Sequence, residues 1–248
     1  MITLKLFKDE DLSGYTFIEG LPGAGLVGPM TCSYLIQKLE MVYIGYIESN
    51  FFPPIVAVHD SIPMYPVRLY KNEKYKLVVL IAEFTVPINA ISELADELLN
   101  FVRKYGLEQI ISIGGMPSDK IEDKTYALTS DAKAKKAAEG AGLEIVTDGV
   151  VAGVSGLLLV RGAQFKISVT DILVLVNPQI MDPKYAENAI MSLKKLVDIS
   201  INTDELEAES KELQAKVREM LKKAKSSHEN LGAPENTTAD QAGPSMYA

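Results

Sequence analysis

Cysteine is nearly absent from this 248-residue chain: Cys32 stands alone, so no intrachain disulfide can form. Histidine is almost as scarce, with His59 and His228 far apart, and one thiol with two separated imidazoles makes no metal-ligand cluster. No metal or other cofactor is expected. Long apolar runs are missing too. The most apolar stretches, 77–84 and 150–160, fall well short of the roughly 20 residues a membrane-spanning helix needs. Basic charge is in deficit, with a formal net charge of −8 and no basic stripe interleaved with aromatics, so nucleic acid finds no electrostatic footprint. The first six residues, Met1 to Leu6, alternate like a strand and lack the basic head and apolar middle of a secretory signal. These absences together lead us to expect a reducing, cytoplasmic setting with neither membrane nor nucleic acid as partner.

What is present is an ordinary globular composition, 47% hydrophobic, enough for a full core. Residues 15–19 read as a strand that runs into a glycine-rich turn at 20–28, then a helix over 30–39 and a strand over 42–47. A dense apolar strand follows at 76–84. The spacing of Ile91, Leu94, Ala95, Leu98, Leu99 and Val102 predicts a helix over 88–105, stopped by Gly106. The alternation continues with strands at 109–113, 144–147 and 169–176 and helices at 132–139 and near 156–160. Asp182-Pro183 has the form of an N-cap followed by proline at the first helical position. Strands separated by helices imply an α/β fold with a mostly parallel, helix-covered sheet.

This α/β domain is expected to span residues 1–199. Over 200–225 the character changes: acids lead, lysines trail, and Glu207/Lys211, Glu212/Lys216 and Glu219/Lys223 form i, i+4 pairs, which predicts a C-terminal helix. Residues 226–248 are small, polar and interrupted by Pro234 and Pro244, which predicts a flexible tail with a root-mean-square reach of roughly 25 Å.

The segment Gly23-Ala24-Gly25-Leu26-Val27-Gly28 satisfies the G-x-G-x-x-G pattern between a strand and a helix, and Glu48 lies where a ribose-binding acid would be sought. A dinucleotide, or a phosphorylated small molecule, is therefore one reading, and with it an enzyme. Against it, Glu19 would face the incoming phosphate, and Pro22 and Pro29 lack the N–H groups that phosphates use. The other reading is a tight turn whose glycines allow positive φ and close helix–sheet packing. Gly114-Gly115-Met116-Pro117 and the glycines at 149, 153 and 156 are similar turns, and three of them on one sheet edge would line a cleft. Glu83, Asp148 and Asp171 are the acids considered for catalysis, with local pairing as the alternative. No nucleophile–base arrangement is suggested, so we expect a binding protein rather than an enzyme.

The motifs Gly20-Leu21-Pro22-Gly23-Ala24-Gly25-Leu26-Val27-Gly28, Phe52-Pro53-Pro54, Ile113-Gly114-Gly115-Met116 and Asp148-Gly149-Val150-Val151-Ala152-Gly153-Val154-Ser155-Gly156 occur in that order. The chain in this respect resembles the PAC2 family of proteasome assembly chaperones, in its archaeal form, over roughly 17–199. The resemblance implies a fold like that of the nucleoside phosphorylases, used for protein association without a known catalytic reaction.

The last three residues, Met246, Tyr247 and Ala248, look like the hydrophobic-tyrosine-any ending by which proteasomal activators dock on the α-ring of the core particle. By that likeness Met246 fills an apolar slot, Tyr247 adds ring packing and a hydroxyl hydrogen bond, and Ala248 supplies the terminal carboxylate. Three residues make a weak contact, so a homo-oligomer presenting several tails is expected, with or without a related family member as a further subunit. The function implied is binding of the proteasome α subunits to aid assembly, gate opening or both. The enzyme reading, centred on the turn at 20–28, is the alternative.

Overall fold

The computed structural model describes residues 1–59, 61–120 and 122–201. In chain order these form β1 (Ile2–Leu6), β2 (Thr16–Gly20), α1 (Val27–Lys38), β3 (Val42–Ser49), β4 (Ala57–His59), β5 (Ile62–Met64), β6 (Val67–Asn72), β7 (Leu77–Ala82), α2 (Ile88–Tyr105), β8 (Gln109–Pro117), β9 (Thr125–Thr129), α3 (Ala132–Gly140), β10 (Glu144–Ile145), α4 (Val154–Phe165), β11 (Ser168–Val176) and α5 (Pro183–Leu196).

The strands that read as unbroken apolar runs are those covered on both faces. All six residues of β7, LVVLIA, are buried, and β2 is buried along its whole length. In a sheet sandwiched by helices both sides of a strand meet core, so alternation disappears from the sequence. Helix α2 turns Leu94, Leu98 and Leu99 inward, each contributing about 1.5–3 kcal/mol by burial. It ends where expected, at Gly106, whose φ of 65° lets the chain leave in the left-handed conformation. Helix α5 begins as its sequence predicts, with the Asp182 carboxylate accepting from the Lys184 N–H at 2.9 Å and Pro183 in the first turn. Helix α1 begins three residues earlier than expected. Pro29 falls within its first turn, where the missing N–H has no intrahelical acceptor to lose.

Nine strands form one sheet in the order β1-β3-β6-β7-β2-β8-β11-β9-β10, and β4 and β5 make a separate hairpin. The central strands β7, β2, β8 and β11 run parallel. On one side β6, β3 and β1 pair antiparallel in succession, and on the other β9 is antiparallel to β11. The sheet is therefore mixed, and the mostly parallel sheet expected from the sequence is corrected. Two causes account for it. The strand β3 follows α1 but joins the far flank instead of lying parallel beside β2, and β6 and β9 were not anticipated as strands.

Helices cover both faces. Residues of α2 and α4 share one core with Phe17, Val78, Leu80, Ile110 and Val169, and residues of α1, α3 and α5 share the other with Ile18, Val79, Ile111, Ile172 and Val174. Thus β2 and β7, parallel neighbours, send the chain to opposite faces, through α1 and α2. Such a divergence opens a crevice at the carboxyl ends of the strands.

The expected helix over 200–225 and tail over 226–248 lie outside the described residues, apart from 200 and 201. Up to that point the chain stays packed: Ile199 and Ile201 are buried, and Lys194 Nζ donates to the Ile201 carbonyl at 2.9 Å.

Candidate functional site

Residues in register on neighbouring strands project to the same face of a sheet. Glu19 on β2 is in register with Ser112 on β8, and Ser112 with Asp171 on β11. The three form a polar row across the parallel centre, on the face covered by α2 and α4, with Glu19 and Asp171 about 10 Å apart at the backbone. The row is deeply placed: Glu19, Ser112 and Asp171 are 4%, 1% and 1% exposed.

Above this row lies a cavity of about 470 Å³, within the range of small-molecule sites. Its walls come from the glycine-rich segments singled out in the sequence, at 21–24, 114–117 and 148–155, together with Thr85 and Val86 before α2 and Ile91 within it; the segment 114–117 is not the turn expected but the last part of strand β8. The structure thus brings together segments some 90 and 125 positions apart in the chain: 21–24 and 114–117 lie at the carboxyl ends of the parallel strands β2 and β8, and the loop before α4 reaches the same edge.

The glycines have packing reasons. A Cβ at Gly20 would sit 2.3 Å from Cys32 Sγ, and one at Gly28 would sit 2.7 Å from the Ile113 carbonyl oxygen, so α1 lies directly against β2 and β8 only because both are bare. Gly25 has φ of 64°, the left-handed conformation that the turn into α1 requires. Glu48, the acid that a ribose would have needed, lies on β3, three places from β2 in the sheet, and pairs with Lys5. The dinucleotide arrangement does not assemble around this turn.

Glu19 and Asp171 are shifted in the same direction. Burial raises the Glu19 carboxyl above its ordinary value, opposed by the Leu21 N–H, which donates to it at 2.8 Å, and by the Ser112 hydroxyl. Burial pushes Asp171 up to about 7, the charge of Glu19 adds to the effect, and the nearby Ser155 hydroxyl offsets only part of it. The Ser112 and Ser155 hydroxyls lie near Glu19 and Asp171 without good bonding geometry, so among the described residues both Asp171 oxygens and Ser112 Oγ are buried without a well-formed hydrogen bond. An unpaired buried polar group costs about 1–3 kcal/mol, and more if charged. Cys32, behind the turn, is buried and held well above the usual thiol range by burial and by the Glu19 charge.

The other sequence candidates separate from this cleft or sit at its edge. Glu83, just past β7, is a paired acid: His59 Nε2 lies 2.6 Å from its Oε1, and the Arg68 guanidinium bonds the same oxygen. Burial alone would raise the Glu83 carboxyl, but His59 and Arg68 outweigh it and hold it below the ordinary range. Arg68 also donates to the Tyr70 hydroxyl and the Tyr65 carbonyl, each at 2.9 Å. Of the three acids considered, then, Glu83 has the local pairing expected as the alternative to catalysis, Asp148 lines the cleft, and Asp171 lies at its floor. Ser112 and Ser155 were not anticipated. A polar residue alone within the apolar run Ile110-Ile111-Ser112-Ile113 was the available signal. Met246, Tyr247 and Ala248 lie outside the described residues.

Comparison with known proteins gives a consistent family picture. The family model described as PAC2 family matches residues 17–221. The uncharacterized protein MJ1210 of Methanocaldococcus jannaschii is 28% identical over 229 residues, covering 90% of this chain and 89% of that protein. Among solved structures, Pyrococcus furiosus PbaA, described as an archaeal homolog of proteasome-assembly chaperone, matches with a TM-score of 0.82 and 27% identity over 91% of this chain and 99% of its own. Pyrococcus furiosus PbaB, described as an archaeal proteasome activator, matches with a TM-score of 0.72 and 25% identity over 88% and 98%. These likenesses give the expected kinship with nucleoside phosphorylases no support. Among the described residues no helix is long and apolar enough to cross a membrane.

Proposed function

The chain belongs to the PAC2 family, and on that premise we propose that it is a proteasome assembly chaperone or activator that binds the α-ring of the core particle through its C-terminal tail. The observation that carries this reading is the pairing of a PbaA- and PbaB-like fold with a chain that ends Met246-Tyr247-Ala248. The terminal carboxylate of Ala248 pairs with a cation of the α-ring, Tyr247 adds ring packing and a hydroxyl hydrogen bond, and Met246 fills an apolar slot. The α/β domain acts as an oligomeric base. Several tails held together raise one another's effective concentration, so weak contacts sum to useful affinity. The action is binding, and it calls on none of the acids of the cleft.

The test is hydrolysis of a fluorogenic peptide by purified core particles with the full chain and with a variant lacking 246–248. The full chain is expected to raise the rate several-fold, and the truncated chain to leave it at the basal level. Equal stimulation by both forms would remove the tail from the mechanism.

A further inference from the structure

The cleft at the carboxyl ends of β2, β8 and β11 has a chemistry independent of the tail. Its floor carries Glu19 and Asp171, in register with Ser112 between them in the sheet, and Asp148 stands on its wall. Among the described residues no Lys, Arg or His lines it. Apart from Thr85 and Ser155, the other side chains that line it are apolar, among them Leu21, Ile113, Val151, Val154 and Leu173. We propose that this cleft is a binding site for a small organic cation, an amine whose ammonium group is received by Asp171 and Glu19 and whose apolar body packs on those side chains.

Three observations lead there. First, Asp171 lines the cavity, is 1% exposed, and has both oxygens without a well-formed hydrogen bond among the described residues, so the fold leaves two strong acceptors unsatisfied beside the cavity. Second, the same sheet shows how this chain satisfies an acid when no ligand is needed: Glu83 is buried with Arg68 and His59 built around it. Third, the sign of the charge is one-sided. Phosphates and carboxylates would meet Glu19, Asp148 and Asp171 without a countercharge, whereas an ammonium donates three hydrogen bonds and offsets one of the negative charges.

The groups facing Asp171 are Glu19 from β2, Ser112 from β8 and Ser155 from α4, with Asp148 on the loop before α4. None is a cation, so the ligand's charge is the one that would draw the proton off Asp171. With that carboxyl titrating at about 7, an ammonium ligand binds roughly tenfold more tightly at pH 8 than at pH 6, where it must displace a proton first.

The experiment is isothermal titration of the full chain with cyclohexylamine, cyclohexanol, cyclohexanecarboxylate and inorganic phosphate, at pH 6 and pH 8. Saturable binding is expected for the amine alone, tighter at the higher pH. Asp171→Asn should weaken it at least tenfold and remove the pH dependence. A second variant, Gly114→Ala, fits the fold, since its Cβ would lie 3.5 Å from Leu173 Cδ2 and 3.9 Å from Asp171 Oδ1, ordinary contact distances. It narrows the space over Asp171 and should also weaken the amine. Equal amine binding by the parent and both variants, no saturable amine binding, or preferential binding of the carboxylate or phosphate would overturn the proposal.

Discussion

Glu83 and Asp171 are both buried carboxyls at the parallel centre of one sheet, yet their surroundings are opposite. Glu83 is enclosed by Arg68 and His59, and its carboxyl is held below the ordinary range. Asp171 has the like-charged Glu19 near it, no well-formed hydrogen bond among the described residues, and a carboxyl raised to about 7. A paired acid stabilises where it sits and ties β6, β7 and the β4–β5 hairpin together. An unpaired one costs stability in the free protein, and that cost is recovered when something with a positive charge enters. The difference separates a structural centre from a binding centre on physical grounds, without appeal to the family.

The largest effect should come from breaking the paired centre. Arg68→Ala leaves Glu83 buried with only His59, and removing one partner of a buried ion pair costs about 3–5 kcal/mol. Urea denaturation at pH 7 should show a loss of that size. Because Glu83 is depressed, its contribution is present above its ordinary value and lost as pH falls through the lower folded one, so the variant should also show a flatter acid limb. A loss below about 1 kcal/mol would mean that the pair is not the anchor described here.

A smaller effect of opposite sign is expected at the unpaired centre. The Asp171 carboxyl moves from an ordinary 3.8 to about 7 on folding, so the folded state holds a proton that the unfolded state releases between those values. Stability from this group is complete below about pH 4 and is lost as pH rises through about 7, by at most on the order of 4 kcal/mol. Asp171→Asn removes that slope. Its stability relative to the parent should therefore rise from pH 4 to pH 7 and level off above, ending about 1–3 kcal/mol in favour of the variant at pH 8, since the amide is also imperfectly paired. Parallel pH–stability curves for the two proteins would show that Asp171 is satisfied in solution.

The contrast also explains what the sequence disclosed. The parallel centre was legible because buried strands such as β7 carry apolar residues at every position and are spaced by helices with clear ends at Gly106 and Asp182-Pro183. The antiparallel flank was not. Strand β6 reads VRLYKN, and its Arg68 and Lys71 look like solvent-facing charges, yet both are buried against acids distant in the chain, Glu83 and Glu10. Such pairings leave no local trace. Nor does strand direction: β3 follows α1 as it would in a parallel unit, but its partners are β1 and β6. The three glycine-rich segments announced a cleft, although 114–117 continues as strand β8, whereas the register that aligns Glu19, Ser112 and Asp171 belongs to the sheet and not to any one segment.

The proposed action rests not on these acids but on Met246, Tyr247 and Ala248, and its most direct test is physical association. Tagged full-length chain and a variant ending at residue 245 would be incubated with purified core particles and recovered by the tag. The account predicts that core particles are retained by the full chain and lost with the truncation, while Asp171→Asn retains them like the parent. Retention by the truncated chain at the level of the full one would contradict it.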